Sequence, residues 1–165
     1  EAVLYTPTPT VVVSRNTNTD TPLPPEEPAG TNPPDGAILY YYLPKNADVV
    51  KLEILDSTGM TIRTYSSQDR IPPIDPQAIT VQPQWARPPQ PLSAKAGSHR
   101  FMWDMHEAGA SGRGGLPMTA IWGNTPYLPV GPMVKPGDFT VRLTVDGKTL
   151  EQPLKLLPDP RKAGS

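Results

Sequence analysis

The stretch Lys135–Leu156, KPGDFTVRLTVDGKTLEQPLKL, decides the fold. Phe139, Val141, Leu143 and Val145 alternate with Thr140, Arg142 and Thr144, a period of two that turns one set of side chains to a core and the other to water. Asp146-Gly147 then supplies a two-residue turn, because a type I′ turn needs φ > 0 at both central residues and Asp-Gly tolerates it. A two-residue loop fixes the register: Val145 faces Lys148, Leu143 faces Leu150, Val141 faces Gln152 and Phe139 faces Leu154. Pro153 has no N–H to donate, so it must lie where the ladder needs none, at an edge or a bulge. The stretch predicts an antiparallel hairpin in a β-sandwich.

Working backwards, the same signals recur. Thr119 to Trp122 reads as a short edge strand, preceded by a flexible loop from Gly109 to Gly115. His99 to Met105 reads as a strand with Phe101 and Trp103 on one face. Val49 to Leu55 and Met60 to Tyr65 form a second hairpin around Asp56-Ser57-Thr58-Gly59, and Ala37 to Leu43, AILYYYL, is a strand stopped by Pro44. The predicted fold is an all-β, immunoglobulin- or fibronectin III-like antiparallel sandwich of about seven strands over residues 35–158. Phe139, Val141, Leu143, Leu52, Ile54, Phe101 and Trp103 are its expected core.

Two segments lack this patterning. Residues 66–97 form a Pro-rich insertion, expected to lie across one sheet with Ile74, Ile79, Val81 and Trp85 as anchors. Residues 1–34 form an extended Pro/Thr-rich arm or linker, too polar to offset its ordering entropy alone and therefore expected to dock, either on the domain's own sheet or on a neighbouring chain. Val11, Val12 and Val13 are the arm's candidate strand. Residues 159–165 read as a polar tail.

Composition narrows the function. The 165 residues include 24 prolines and 13 glycines, which disfavours long helices. A net charge of −1 argues against a nucleic-acid partner, which requires a basic field. Cysteine is absent, so neither disulfides nor Cys-based metal sites form. No run reaches the roughly 18 apolar residues of a membrane span. A chain starting at Glu1 without Met is expected to be processed or excised from something longer.

Candidate sites are few. Asp104, His106 and Glu107, with Asp69 or His99 nearby, suggest a metal or acid–base centre, Asp104 and His106 sharing one strand face. Only two histidines exist, and no second carboxylate stands at a defined distance, so no catalytic, cofactor-binding or metal residue is assigned. Trp85, Trp122 and Tyr127 lie in or beside loops. Such rings can stack on sugars or anchor a protein, or they can pin the Pro-rich loops to the sheet. The Tyr40-Tyr41-Tyr42 run reads as core and sheet surface.

GTNPPDGAILYYYLP (Gly30 to Pro44), VKLEILDSTG (Val50 to Gly59), HRFMWDMH (His99 to His106), the Lys135–Leu156 hairpin and the closing DPR (Asp159 to Arg161) together resemble one kind of domain. It is the C-terminal domain of large secreted bacterial proteins built on a sortilin-like, BNR-repeat β-propeller, and it is similar to the Ig-like module of flagellar hook-capping proteins. The resemblance spans about residues 14 to 161. It implies a secreted, extracellular or cell-surface, non-catalytic structural or binding module packed on a propeller, with any hydrolase activity in that propeller. Two alternatives stand beside it. One is a self-assembling subunit of an extracellular fibre, using the arm for strand addition to neighbouring subunits. The other is an accessory domain of a carbohydrate-active enzyme, with carbohydrate as partner.

Overall fold

A computed structural model describes residues 1–13, 36–75, 77, 82–109 and 130–162. Eight strands form among them: β1 (Val3–Leu4), β2 (Thr10–Val12), β3 (Ala37–Leu43), β4 (Val50–Leu55), β5 (Thr61–Ser66), β6 (Gly97–Trp103), β7 (Gly137–Val145) and β8 (Lys148–Pro158). They build a three-stranded sheet, β1-β3-β6, and a five-stranded sheet, β2-β8-β7-β4-β5. Among the described residues helix is limited to short 3-10 turns at Pro83–Trp85 and Pro160–Lys162, in keeping with the proline content. The fold is all-β with two sheets. The edge strand expected at 119–122 lies outside the described residues, as do Ile79, Val81, Trp122 and Tyr127.

The deciding hairpin is β7–β8, with the expected register: Val145 opposite Lys148, Leu143 opposite Leu150, Val141 opposite Gln152 and Phe139 opposite Leu154. Asp146 (φ 47°) and Gly147 (φ 85°) both occupy the left-handed region. Asp146 can do so because its carboxylate is engaged, accepting from the N–H groups of Asp48 (2.8 Å) and Val49 (2.9 Å) and tying the turn to the start of β4. At Gly147 a Cβ would meet nothing within 4 Å, so the position is restricted by backbone conformation and not by space. Gly147→Val is expected to cost about 1–3 kcal/mol, read as a lowered denaturation midpoint; an unchanged midpoint would contradict this turn. Pro153 pairs with Thr140, a non-hydrogen-bonded position in a ladder set by a two-residue loop. Its nitrogen therefore points to the outer edge of β8, which β2 covers only at Leu156–Pro158.

The two sheets enclose one core. Leu39, Tyr41 and Leu43 from β3 and Phe101 and Trp103 from β6 meet Leu52 and Ile54 from β4, Phe139, Val141 and Leu143 from β7, and Leu154 and Leu156 from β8. All seven residues expected in the core are buried there. Trp103 meets Phe139 edge-on across the sandwich (5.8 Å between centroids) and donates its indole N–H to His106 O (3.0 Å). The Tyr41 hydroxyl is satisfied by Ser93, donating to its carbonyl (2.7 Å) and accepting from its N–H (3.0 Å), and burial pushes its pKa up to about 12.

Residues 1–13 belong to both sheets. β1 pairs antiparallel with β3, and β2 pairs parallel with β8. The chain passes from one sheet to the other over residues 5–9, where Pro7 is buried. Gln152 latches this crossing, donating to Leu4 O (3.2 Å) and accepting from Thr6 Oγ1 (2.8 Å), while Glu1 pairs with Lys148. The strand is Thr10–Val12, one residue earlier than the Val11–Val13 run, with Val12 buried and Val11 outside. A second strand at Val3–Leu4 was not legible, since two residues carry no periodicity.

Along the insertion, Ile74 and Trp85 are half-buried, and Ala86 and Leu92 are buried. Near Gln90 the insertion borders the outer edge of β6. The Gln90 side-chain amide donates to Arg100 O (2.8 Å) and accepts from Met102 N (3.4 Å), satisfying edge groups that a further strand would otherwise take.

Residues 159–162 are built into the fold. Asp159 is buried and accepts from Arg161 through the backbone N–H (3.0 Å), Nε (3.0 Å) and Nη2 (2.7 Å). The Arg161 side chain, followed by its backbone N–H, lowers the Asp159 pKa to about 2. Asp159 therefore contributes stability that is fully present above the unfolded-chain pKa of about 3.9 and is lost as pH falls towards 2. Asp159→Asn should flatten the acid limb of a stability–pH profile in that window; an identical limb in the variant would refute this linkage.

Candidate functional site

The two outward faces of the sandwich differ in chemistry. On the five-stranded sheet, alternation turns out Lys51 and Glu53 from β4, Thr140, Arg142 and Thr144 from β7, and Thr149 and Glu151 from β8. Lys51 pairs with Glu53 (2.9 Å) and Arg142 with Glu151 (2.6 Å). This is a solvated, ion-paired face and carries no aromatic ring among the described residues.

The three-stranded sheet presents the opposite. Ala37, Leu39, Tyr41 and Leu43 point inward, so Ile38, Tyr40 and Tyr42 point outward. The β3–β6 ladder sets Tyr42 opposite Ser98, Tyr40 opposite Arg100 and Ile38 opposite Met102. Val3 lies opposite Tyr42 on the other side, and Tyr5 continues the alternation beside Tyr40, its N–H donating to Tyr40 O (3.0 Å). The outcome is two lateral rows, Val3–Tyr42–Ser98 and Tyr5–Tyr40–Arg100, followed by Ile38–Met102. Tyr5 and Tyr40 are each 49% exposed, Val3 39% and Tyr42 36%. Seven consecutive β3–β6 pairs run without a register shift, so the platform is continuous. Arg100 is its one charged side chain, is exposed, and forms no ion pair among the described residues.

The other candidate residues that are described do not converge. Val11 is exposed on the five-stranded side, Val12 is buried and Val13 half-buried. Trp85 closes the 3-10 turn at Pro83–Trp85, half-buried. Asp104 and His106 do not share a strand face: β6 ends at Trp103, and Met105 takes φ 60°, which turns the chain. Asp104 instead accepts from His106 N (3.1 Å), and His106 Nδ1 hydrogen-bonds Gly131 O (2.7 Å), closing a bridge between His106 and Met133. His99 Nε2 bonds Lys95 O (2.6 Å), and Asp69 accepts from Ser66 N (2.8 Å). Among the described residues no three His, Asp or Glu side chains gather to hold a metal. Asp56 is occupied structurally: Thr58 Oγ1 and the N–H of Met60 hold its carboxyl below the usual carboxylate range.

The aromatic platform is the surface that sequence reading missed. Its signal was present: in a strand, Tyr40 and Tyr42 must share a face opposite to Tyr41. What could not be read was that β1 would lie beside them and add Val3 and Tyr5. Compared with protein-family models, curated proteins and solved structures, the chain matches none.

Proposed function

We propose that this chain is a non-catalytic binding module on an immunoglobulin- or fibronectin III-like sandwich, exported by a bacterium and seated beside a β-propeller or another large extracellular body. Consecutive strands β3 and β4, β5 and β6, and β6 and β7 lie in different sheets, the crossing pattern of Greek-key sandwiches, which supports the fold assignment. The resemblance of the Gly30–Pro44, Val50–Gly59 and His99–His106 segments to propeller-associated domains supports the setting. The observation that carries the binding role is the contrast between the two outward faces. If both served only to meet water, both would be expected to carry charges; one instead displays three tyrosines, Val3, Ile38 and Met102.

The fibre reading ranks second. It has in its favour that β2 is a three-residue edge strand, which strand exchange could release. Against it, the arm already pairs with both sheets of its own chain and is latched by Gln152. Sedimentation of the full chain over a wide concentration range separates the two readings. A monomer throughout fits the module, whereas polymers growing with concentration would replace it with the fibre. An accessory role in a carbohydrate-active enzyme is compatible with the module, provided the chain itself releases no sugar.

A further inference from the structure

The partner of the tyrosine platform can be narrowed by its size and charge. Strands β3 and β6 have seven residues each, and β1 has two. At about 3.4 Å per residue and about 4.8 Å between strands, the face covers at most about 350 Å². A stable protein interface takes about 800 Å² from each partner, so the platform alone is too small for one. A macromolecule that needs only a narrow, elongated contact is a linear polymer.

Charge selects among linear polymers. The platform holds one cation, Arg100, and the whole chain carries a net charge of −1, so no basic field draws a polyanion. No carboxylate lies among the eight platform side chains to draw a basic peptide. What the face offers is flat aromatic area with hydroxyls at the ring edges, the Ser98 hydroxyl, and the guanidinium N–H donors of Arg100. An uncharged ligand with apolar faces and hydroxyl rims complements it. A pyranose ring has both features: its C–H groups stack on an aromatic ring, and its equatorial hydroxyls project sideways to hydrogen-bonding partners.

We infer that the outer face of β1-β3-β6 binds a neutral, linear polysaccharide, with Tyr5, Tyr40 and Tyr42 as stacking residues and Arg100 and Ser98 as hydrogen-bonding partners. This inference rests on the binding-module reading and adds the ligand class to it. Tyr5 and Tyr40 are lateral neighbours, whereas Tyr40 and Tyr42 lie two residues apart along β3. The three rings thus form a corner, which supports successive sugars along β3 and steadies one of them from β1.

The test is calorimetric titration of the full chain with the neutral sugars cellohexaose, xylohexaose and mannohexaose and, separately, with the polyanions polygalacturonate and polyglutamate, followed by assay of the neutral-sugar mixtures for new reducing ends. Binding to at least one of these sugars is expected, unchanged by added salt because no ion pair forms. Tyr40→Ala should weaken that binding about tenfold, the equivalent of one lost stacking contact of about 1.4 kcal/mol. Tyr40→Phe should retain it, and Thr144→Ala on the other face should leave it unchanged. Circular dichroism confirms that each variant is folded; exposed Tyr40 tolerates truncation. No binding to any of the three sugars would overturn the inference while leaving the non-catalytic module standing. Binding only to polygalacturonate or polyglutamate, lost in salt, would overturn it in favour of an anionic partner. Release of reducing ends by the chain would overturn the module reading itself.

Discussion

Replacing Trp103 with alanine is expected to destabilise the protein by about 3–5 kcal/mol, the largest effect of any single substitution considered. Trp103 has no exposed surface, and it is the largest fully buried side chain among the described residues. It sits on β6 at the point where the two sheets face each other through Phe139. Truncation removes the ring from both sheets and leaves a cavity that strands pinned by their ladders cannot fill by collapse. It also strips His106 O of its indole donor. Equilibrium denaturation in urea measures the effect. A loss below about 1 kcal/mol would mean that the sheets do not pack through this residue.

Deletion of residues 1–13 should have an effect of similar size by a different route. Leu4 is 4% exposed and Val12 8%. Their removal forfeits about 1.5–3 kcal/mol each in buried apolar surface. It also uncovers the outer edge of β3 in one sheet and of β8 in the other, and unpaired edges invite association. The truncated chain is therefore expected to lose about 3–6 kcal/mol and to aggregate, as followed by thermal unfolding with light scattering. A stable, soluble truncated monomer would show that the arm is not part of the sandwich.

The parts of the fold that were readable in the sequence are those with long strict alternation. The β7–β8 register was readable to the residue because Asp146-Gly147 permits one loop length and one turn type. Val50–Leu55 and Ala37–Leu43 were readable because turn or breaker residues bound them. The parts that were not readable depend on tertiary contact. Val3–Leu4 is a strand only because β3 offers it an edge. Leu92 is buried in the core, which its Pro-rich surroundings do not announce. Asp104 and His106 have the spacing of residues on one strand face, but the strand stops before them at Trp103, and the positive φ at Met105 breaks the alternation. The tyrosine platform combines both cases: half of it follows from the parity of β3, and half depends on where the arm comes to rest.

Whether the arm rests on its own chain decides between a self-contained module and an exchanging subunit. Amide hydrogen exchange at Tyr5, whose N–H donates to Tyr40 O (3.0 Å), and at Val12, which pairs with β8, followed in dilute solution, tests this directly. Protection comparable to that of Leu156 and Tyr41, and independent of protein concentration, is the predicted result. Rapid exchange at these amides, or protection that appears only as concentration rises, would contradict the account.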